Sequence, residues 1–254
     1  MGMRIHFTAS ERPEARAALA RLTERYGQSR ADAADVIVPL GGDGAMLDAL
    51  RDRFEDHKPV YGMHRGTIGF LMNEYSEDDL ERRIDQAERA TLNPLRMTCI
   101  DVSGETHHRL AINEVSLLRQ TAQSARLRIE VDGRERLPEL ACDGVLVATP
   151  AGSTAYNLSV YGPILPIGAQ LLAMTPISPF RPRRWRGALL RHDAKVIVDV
   201  QAPERRSVSA AADTQEVRNA ARVEICEDRG RHLTLLFDPG HALDERILRE
   251  QFAV

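Results

Sequence analysis

The tetrapeptide Gly41-Gly42-Asp43-Gly44 follows a run of apolar β-formers, Val36-Ile37-Val38-Pro39-Leu40, and precedes a helix-like stretch. Glycines in such a turn let a ligand approach the backbone, converging N–H groups can meet an anion, and a rigidly held carboxylate can accept a proton or bind a cation. The other reading is a tight strand-to-helix turn in which Asp43 caps the helix. A second segment, Thr149-Pro150-Ala151-Gly152-Ser153-Thr154-Ala155-Tyr156, follows another strand-like run, Val145-Leu146-Val147-Ala148. It offers hydroxyls, a small alanine that permits close approach and a ring able to stack on a base; otherwise it is a helix start capped by Ser153 or Thr154. Both segments put small and polar residues at the carboxyl end of a buried strand, where ligands sit in open α/β sheets. Together they read as two halves of one nucleotide site.

Asn113 and Glu114 interrupt the otherwise apolar run Ala111 to Leu118. Buried, they need partners, which a ligand's hydroxyls or amides could be; on an edge strand or at a bulge they face water. Asp143-Gly144, just before the second strand-like run, is a turn signal. Pro179 to Arg186 combines four arginines with Phe180 and Trp185, a composition suited to phosphate, to stacked single-stranded RNA, to a subunit contact or to a solvated loop. His107-His108 lacks a third ligand at a sensible spacing, so exposed side chains and no metal are expected. A Gly-Lys-Ser/Thr element is absent from the sequence, as is a Gly-x-Gly-x-x-Gly fingerprint, which excludes a Walker-type phosphate loop and the usual dinucleotide turn.

These residues need elements to hold them. Over the first ninety or so residues strand and helix signals alternate: a strand at 4–7, a helix from a Ser10 cap to Gly27 with Pro13 in its first turn, strands at 36–40 and 59–63, and helices at 45–53 and 80–90. Such alternation implies a parallel sheet covered by helices. After Asn93-Pro94 the segments 96–102, 109–118, 126–131, 144–149, 195–200, 222–226 and 232–237 are short and β-rich, an all-β pattern. An amphipathic stretch from Leu243 to Phe252 reads as a helix packing back on the protein.

The 254 residues suffice for two domains, and 43% hydrophobic with 28% charged residues is ordinary for a soluble protein. With a formal net charge of −3, nothing in the balance recruits nucleic acid or an anionic membrane, and no apolar run is long enough to span one. The start lacks the pattern of a secretory signal, so a cytoplasmic chain is expected. Cysteines 99, 142 and 226 are odd in number and far apart, as core thiols are. Lys58 and Lys195 are the only lysines, so phosphate must be met mostly by arginine or backbone amides.

Taken in order, Gly41-Gly42-Asp43-Gly44, Gly66-Thr67-Ile68-Gly69-Phe70-Leu71, Asn113-Glu114, and Asp143-Gly144 with Thr149 to Tyr156 resemble the NAD kinase family. The resemblance implies a Rossmann-like α/β domain over 1–94 with a parallel sheet and an NAD-binding β-sandwich over 95–237; the amphipathic pattern makes 238–254 a helical tail. It also implies a homodimer or homotetramer that transfers phosphate from ATP, or polyphosphate, to the adenosine ribose 2′-hydroxyl of NAD, with magnesium arriving on ATP and no metal ligands from the protein. By position, Asp43 would be the general base and Gly44 would keep the approach open. Asn113 and Glu114 would bind the ribose, and Asp143 would seat the nicotinamide end. Ala151, Thr154, Ala155, Tyr156, Asn157, Leu158, Ser159 and Ser178 would complete the nucleotide pocket. The chain departs from the family pattern at His64-Arg65-Gly66, at Ala151, at Asp213-Thr214, and at Phe180, where a histidine is usual; Arg183, Arg184 or Arg186 would then supply charge. A lipid or sphingoid kinase shares the glycine turn and is the alternative enzyme; a regulator that binds NADP(H) without turnover is the non-catalytic one.

Overall fold

The computed structural model describes residues 2–65 and 69–240. The chain forms two compact units, Met1–Leu92 with Arg231–Val254, and Asn93–Gly230. In the first, β1 (Ile5–Ala9) runs parallel to β2 (Val36–Gly41), with α1 (Pro13–Tyr26) crossing between them. All of β2 is buried, as an uninterrupted apolar strand covered on both faces must be. Pro39 has no N–H to give and falls between the two places where β2 meets its other neighbour, the bridge Ile37 to Val60 and the pairing of Leu40 with Met63 in β3 (Met63–His64). α1 lays Ala15, Ala18 and Leu22 on the core at helical spacing.

Several boundaries differ from the sequence reading. Ser10 does not cap α1; Arg12 occupies that position without a side-chain bond, and Pro13 opens the helix. Helix α2 (Asp43–Arg51) starts directly after the glycine pair. Helix α3 ends early (Leu80–Asp85), and the end of the helix expected over 80–90 falls in strand β4 (Glu88–Leu92). Asp79, at the head of α3, is left-handed and gives no capping bond; Ser76 Oγ instead accepts from the Asp78 N–H.

The second unit is a sandwich of two antiparallel six-stranded sheets. One contains β5 (Leu95–Asp101), β6 (Thr106–Ala111), β8 (Ala125–Val131), β9 (Arg134–Cys142), β13 (Val196–Val200) and β16 (Ala220–Glu227). The other contains β7 (Glu114–Arg119), β10 (Gly144–Ala148), β11 (Leu171–Ile177), β12 (Ala188–Arg191), β14 (Val208–Ala212) and β15 (Gln215–Val217). Alternate residues such as Leu127, Ile129, Val131 and Val223 of the first sheet pack with Val145 and Val147 of the second in a common core. The single strand expected over 109–118 is two strands in different sheets, and the chain crosses at Ile112-Asn113; it crosses again at Asp143, between β9 and β10. Strand β10 is buried on both faces: Leu146 and Ala148 pack with Leu165, Ala173 and Ile177 beneath the segment that follows Thr149.

Strand β17 (Leu233–Phe237), expected in the sandwich, belongs to the first unit. It pairs antiparallel with β4, and Leu235 bridges to Val60, so it extends the sheet begun by β1 to β3. The fully buried Asn73 fastens this return: its amide donates to the carbonyls of Gly62 and Leu236, and its Oδ1 accepts from the Asp238 N–H. The expected helix at 243–252 lies outside the described residues, as do Gly66, Thr67 and Ile68.

Candidate active site

In the first unit the glycine turn sits at the carboxyl end of β2. Gly41 is crowded: a Cβ there would come within 2.9 Å of Ala45 Cβ and Ser10 Oγ. Gly42 and Gly44 have nothing within 4 Å of such an atom, so Gly44 faces open space beside the first turn of α2. Asp43 is not a helix cap. Its Oδ2 accepts from the Phe70 N–H and its Oδ1 from the Leu71 N–H, both at 2.9 Å. The third strand is tied to the same turn by the Arg65 N–H, which donates to the Gly41 carbonyl at 2.7 Å. The Arg65 guanidinium lies 3.4 Å from the centre of the Tyr75 ring, a cation–π contact.

In the second unit the crossing at 112–114 is clamped from two sides. The Asp213 carboxylate accepts from the N–H groups of Ile112 and Asn113 at 2.9 Å and of Glu114 at 3.3 Å. From the other side Thr149 Oγ1 donates to the Ile112 carbonyl at 2.7 Å, and the Thr149 N–H donates to the Asn113 carbonyl at 2.9 Å. Gly152 packs so closely that a Cβ would stand 2.1 Å from that same carbonyl oxygen. So held, Asn113 Oδ1 and Glu114 Oε2 are buried without a partner. A buried acceptor left unpaired is costly, and burial, with the Asp213 charge behind it, pushes the Glu114 carboxyl up to about 7.

Tyr156 belongs to the same neighbourhood: burial first, then the charges of Glu114 and Asp143, raise its phenol above the ordinary value. Asp143, at the other sheet crossing, forms an ion pair with Arg119, whose Nε donates at 2.6 Å. Ala151 is buried, Thr154, Ala155 and Leu158 are half-buried, and Ser159 is exposed. Ser178 is exposed and left-handed, next to Ile177, whose carbonyl accepts from the Asp143 N–H. Asn157 departs from the expected pocket wall. It is fully buried, its amide donates to the carbonyls of Ser153 and Pro163, and its Oδ1 accepts from Thr175 Oγ1. It shapes the segment from within.

Sequence reasoning passed over Asp213 as a clamp, Arg119 as the partner of Asp143, and the Phe70 and Leu71 amides as the seat of Asp43. An aspartate in a hairpin turn is a recognisable signal for the first; the Arg119 pairing depends on strand register, and the Phe70-Leu71 seat on a turn distant in sequence from Asp43. In the arginine cluster, Arg181 and Arg183 lie over Phe180, while Trp185 is half-buried against the sandwich core and so is not a free stacking platform. His107 is half-buried with Nε2 2.9 Å from Asp101, against the expected exposed ring.

Residues 2–89 match the family model of the ATP-NAD kinase N-terminal domain, and residues 112–226 that of the ATP-NAD kinase C-terminal domain. The chain is 66% identical to an NAD kinase of Hyphomonas neptunium, covering 99% of this chain and 98% of that protein. It is 58% identical to an NAD kinase of Caulobacter vibrioides, over 98% and 96% of the two chains. Among solved structures, a yeast NADH kinase in complex with NADH aligns with a TM-score of 0.85 at 19% identity, covering 98% of this chain and 87% of the other. An Archaeoglobus fulgidus NAD kinase in complex with ATP aligns with a TM-score of 0.76 at 23% identity, covering 97% and 99%. At those identities the two structures speak for the fold.

Proposed function

The chain belongs to the NAD kinase family, and from that premise we propose that Asp43 is the general base of a transfer that turns NAD into NADP. The reaction itself follows from membership: phosphate passes to NAD, and ATP is the donor. The alternatives of a lipid kinase and of a non-catalytic regulator have no support among the relatives. In the proposed step the 2′-oxygen of the adenosine ribose attacks the γ-phosphorus, Asp43 takes the hydroxyl proton, and the bond to ADP breaks. Such a transfer needs placement and charge neutralisation more than covalent help.

One observation supports the acceptor side above the others: Asn113 Oδ1 and Glu114 Oε2 are buried acceptors with no donor, and ribose hydroxyls are donors of the right kind. Asp143, oriented by Arg119, seats the nicotinamide end. Ala151, Thr154, Ala155, Tyr156, Leu158, Ser159 and Ser178 line the nucleotide, and Asn157 holds their segment in shape. Gly44, with open space around it, leaves the donor room to approach the base.

A divalent ion fits this reading as a companion of ATP, where it neutralises charge on the phosphates. Among the described residues one group has metal-like spacing, Asp101, Glu105 and His107. Its central carboxylate is already engaged: Asp101 accepts from His107, Ser103 and the Glu105 backbone N–H, which hold its carboxyl well below the ordinary range. That group closes a hairpin and is a poor resident metal site. No helix among the described residues is long and apolar enough to cross a membrane. A cytoplasmic homodimer or homotetramer completes the reading on family resemblance, and light scattering on the purified protein checks the assembly.

The test is a coupled assay for NADP with NAD, ATP and magnesium. Asp43→Asn is expected to lower kcat by about 10²- to 10⁴-fold while NAD still binds; an unchanged rate would remove Asp43 from the role of base.

A further inference from the structure

We propose that Gly69 is a positioning residue for the transfer, present so that the Asp43 carboxylate can dock on the two amides that follow it. This rests on the reading of Asp43 as the base and adds what aims it. A Cβ on Gly69 would stand 2.2 Å from Asp43 Oδ1, 2.7 Å from Cγ and 3.1 Å from Oδ2. The next two N–H groups, of Phe70 and Leu71, donate to Oδ2 and Oδ1. What the missing side chain provides is room for this carboxylate.

The chemistry explains why that room matters. Each carboxylate oxygen has two acceptor directions, and an amide takes one on each. The carboxylate plane is fixed, and one lone pair per oxygen is left to face a substrate hydroxyl. A base aimed in advance gives up no rotamer freedom at the moment of reaction, and small misplacements of such a group are expensive. An alanine at 69 pushes Asp43 off both amides, because the methyl carbon and Oδ1 cannot share the space.

Two measurements on the full-length enzyme test this. In the first, Gly69→Ala lowers kcat on the order of 100-fold with KM for NAD essentially unchanged, since the ribose contacts lie on other residues. In the second, thermal unfolding is followed in a double-mutant cycle. Gly69→Ala lowers the midpoint by about 5 °C in the wild-type background and leaves it unaltered in an Asp43→Ala background, where the opposing carboxylate is gone. A Gly69→Ala enzyme with wild-type kcat, or an equal loss of midpoint in both backgrounds, overturns the proposal. Should Asp43→Asn alone leave the rate unchanged, the base is misassigned, and the unfolding cycle still reports whether Gly69 and Asp43 oppose each other.

Discussion

Glu114 carries its environment in its titration. An unfolded glutamic acid releases its proton near 4.5, whereas Glu114 in the fold does so at about 7, because burial and then the Asp213 charge disfavour the anion. Between those values the folded protein keeps a proton that the unfolded chain has lost, so this group's contribution to stability is complete below the lower value and disappears as pH rises through the upper one. Glu114→Gln removes the titration. Without NAD, the unfolding midpoint of the variant relative to wild type is expected to climb steadily from about pH 4.5 to about pH 7; a difference flat with pH would mean that Glu114 ionises normally. Asn113 and Glu114 were legible as a polar pair in an apolar run. What no pattern of alternation conveys is that the chain changes sheets there, which is why the pair sits at a bend and not in a ladder.

The bend is held by residues that are not themselves assigned to the substrate. Asp213, at the turn between β14 and β15, spends its carboxylate on three consecutive amides. Asp213→Asn keeps one oxygen and loses the charge, so KM for NAD should rise about 10-fold and the Glu114 midpoint should fall, readable in the pH dependence of kcat/KM. On the opposite side, Gly152→Ala meets a backbone carbonyl at 2.1 Å that cannot swing away. We expect a loss of about 1–3 kcal/mol in denaturant unfolding, and an unchanged midpoint would show that the bend yields. Local sequence marked β2 well, because an apolar run closed by glycines has few other readings. It misjudged β4: Glu88 to Leu92 continues a helical pattern by composition, and its strand form comes from pairing with β17, a partner no local window contains.

At the scale of the molecule, two folded bodies are threaded by one chain in an interrupted order, with the first body leaving at Leu92 and resuming at Arg231. The alternating and all-β halves of the sequence announced two kinds of architecture. The return of the chain was not announced, since β17 is as β-rich as its neighbours and only the register with Val60 and β4 tells them apart. Asn73 and Asp238 secure that return. Tyr61 Oη donates to Asp238 at 2.6 Å, and Arg83 forms an ion pair with the same carboxylate at 2.6 Å. Replacing Asn73 with Leu takes the side-chain partner from the Leu236 carbonyl and the Asp238 N–H and leaves the Gly62 carbonyl only the backbone N–H of residue 73, so unfolding free energy should drop by about 3 kcal/mol; a variant as stable as wild type would show that the return is fastened elsewhere.

The interrupted order also sets a timetable for synthesis. Every residue of the sandwich leaves the ribosome before β17 does, so the contiguous body can settle while the first one still lacks a strand of its sheet. Until residues 233–237 emerge, the Val60 N–H and carbonyl lack their partners on Thr234 and Leu236 and that edge of the sheet is open to whatever else is in reach. A nascent chain stalled just short of that point is where a chaperone would find its client.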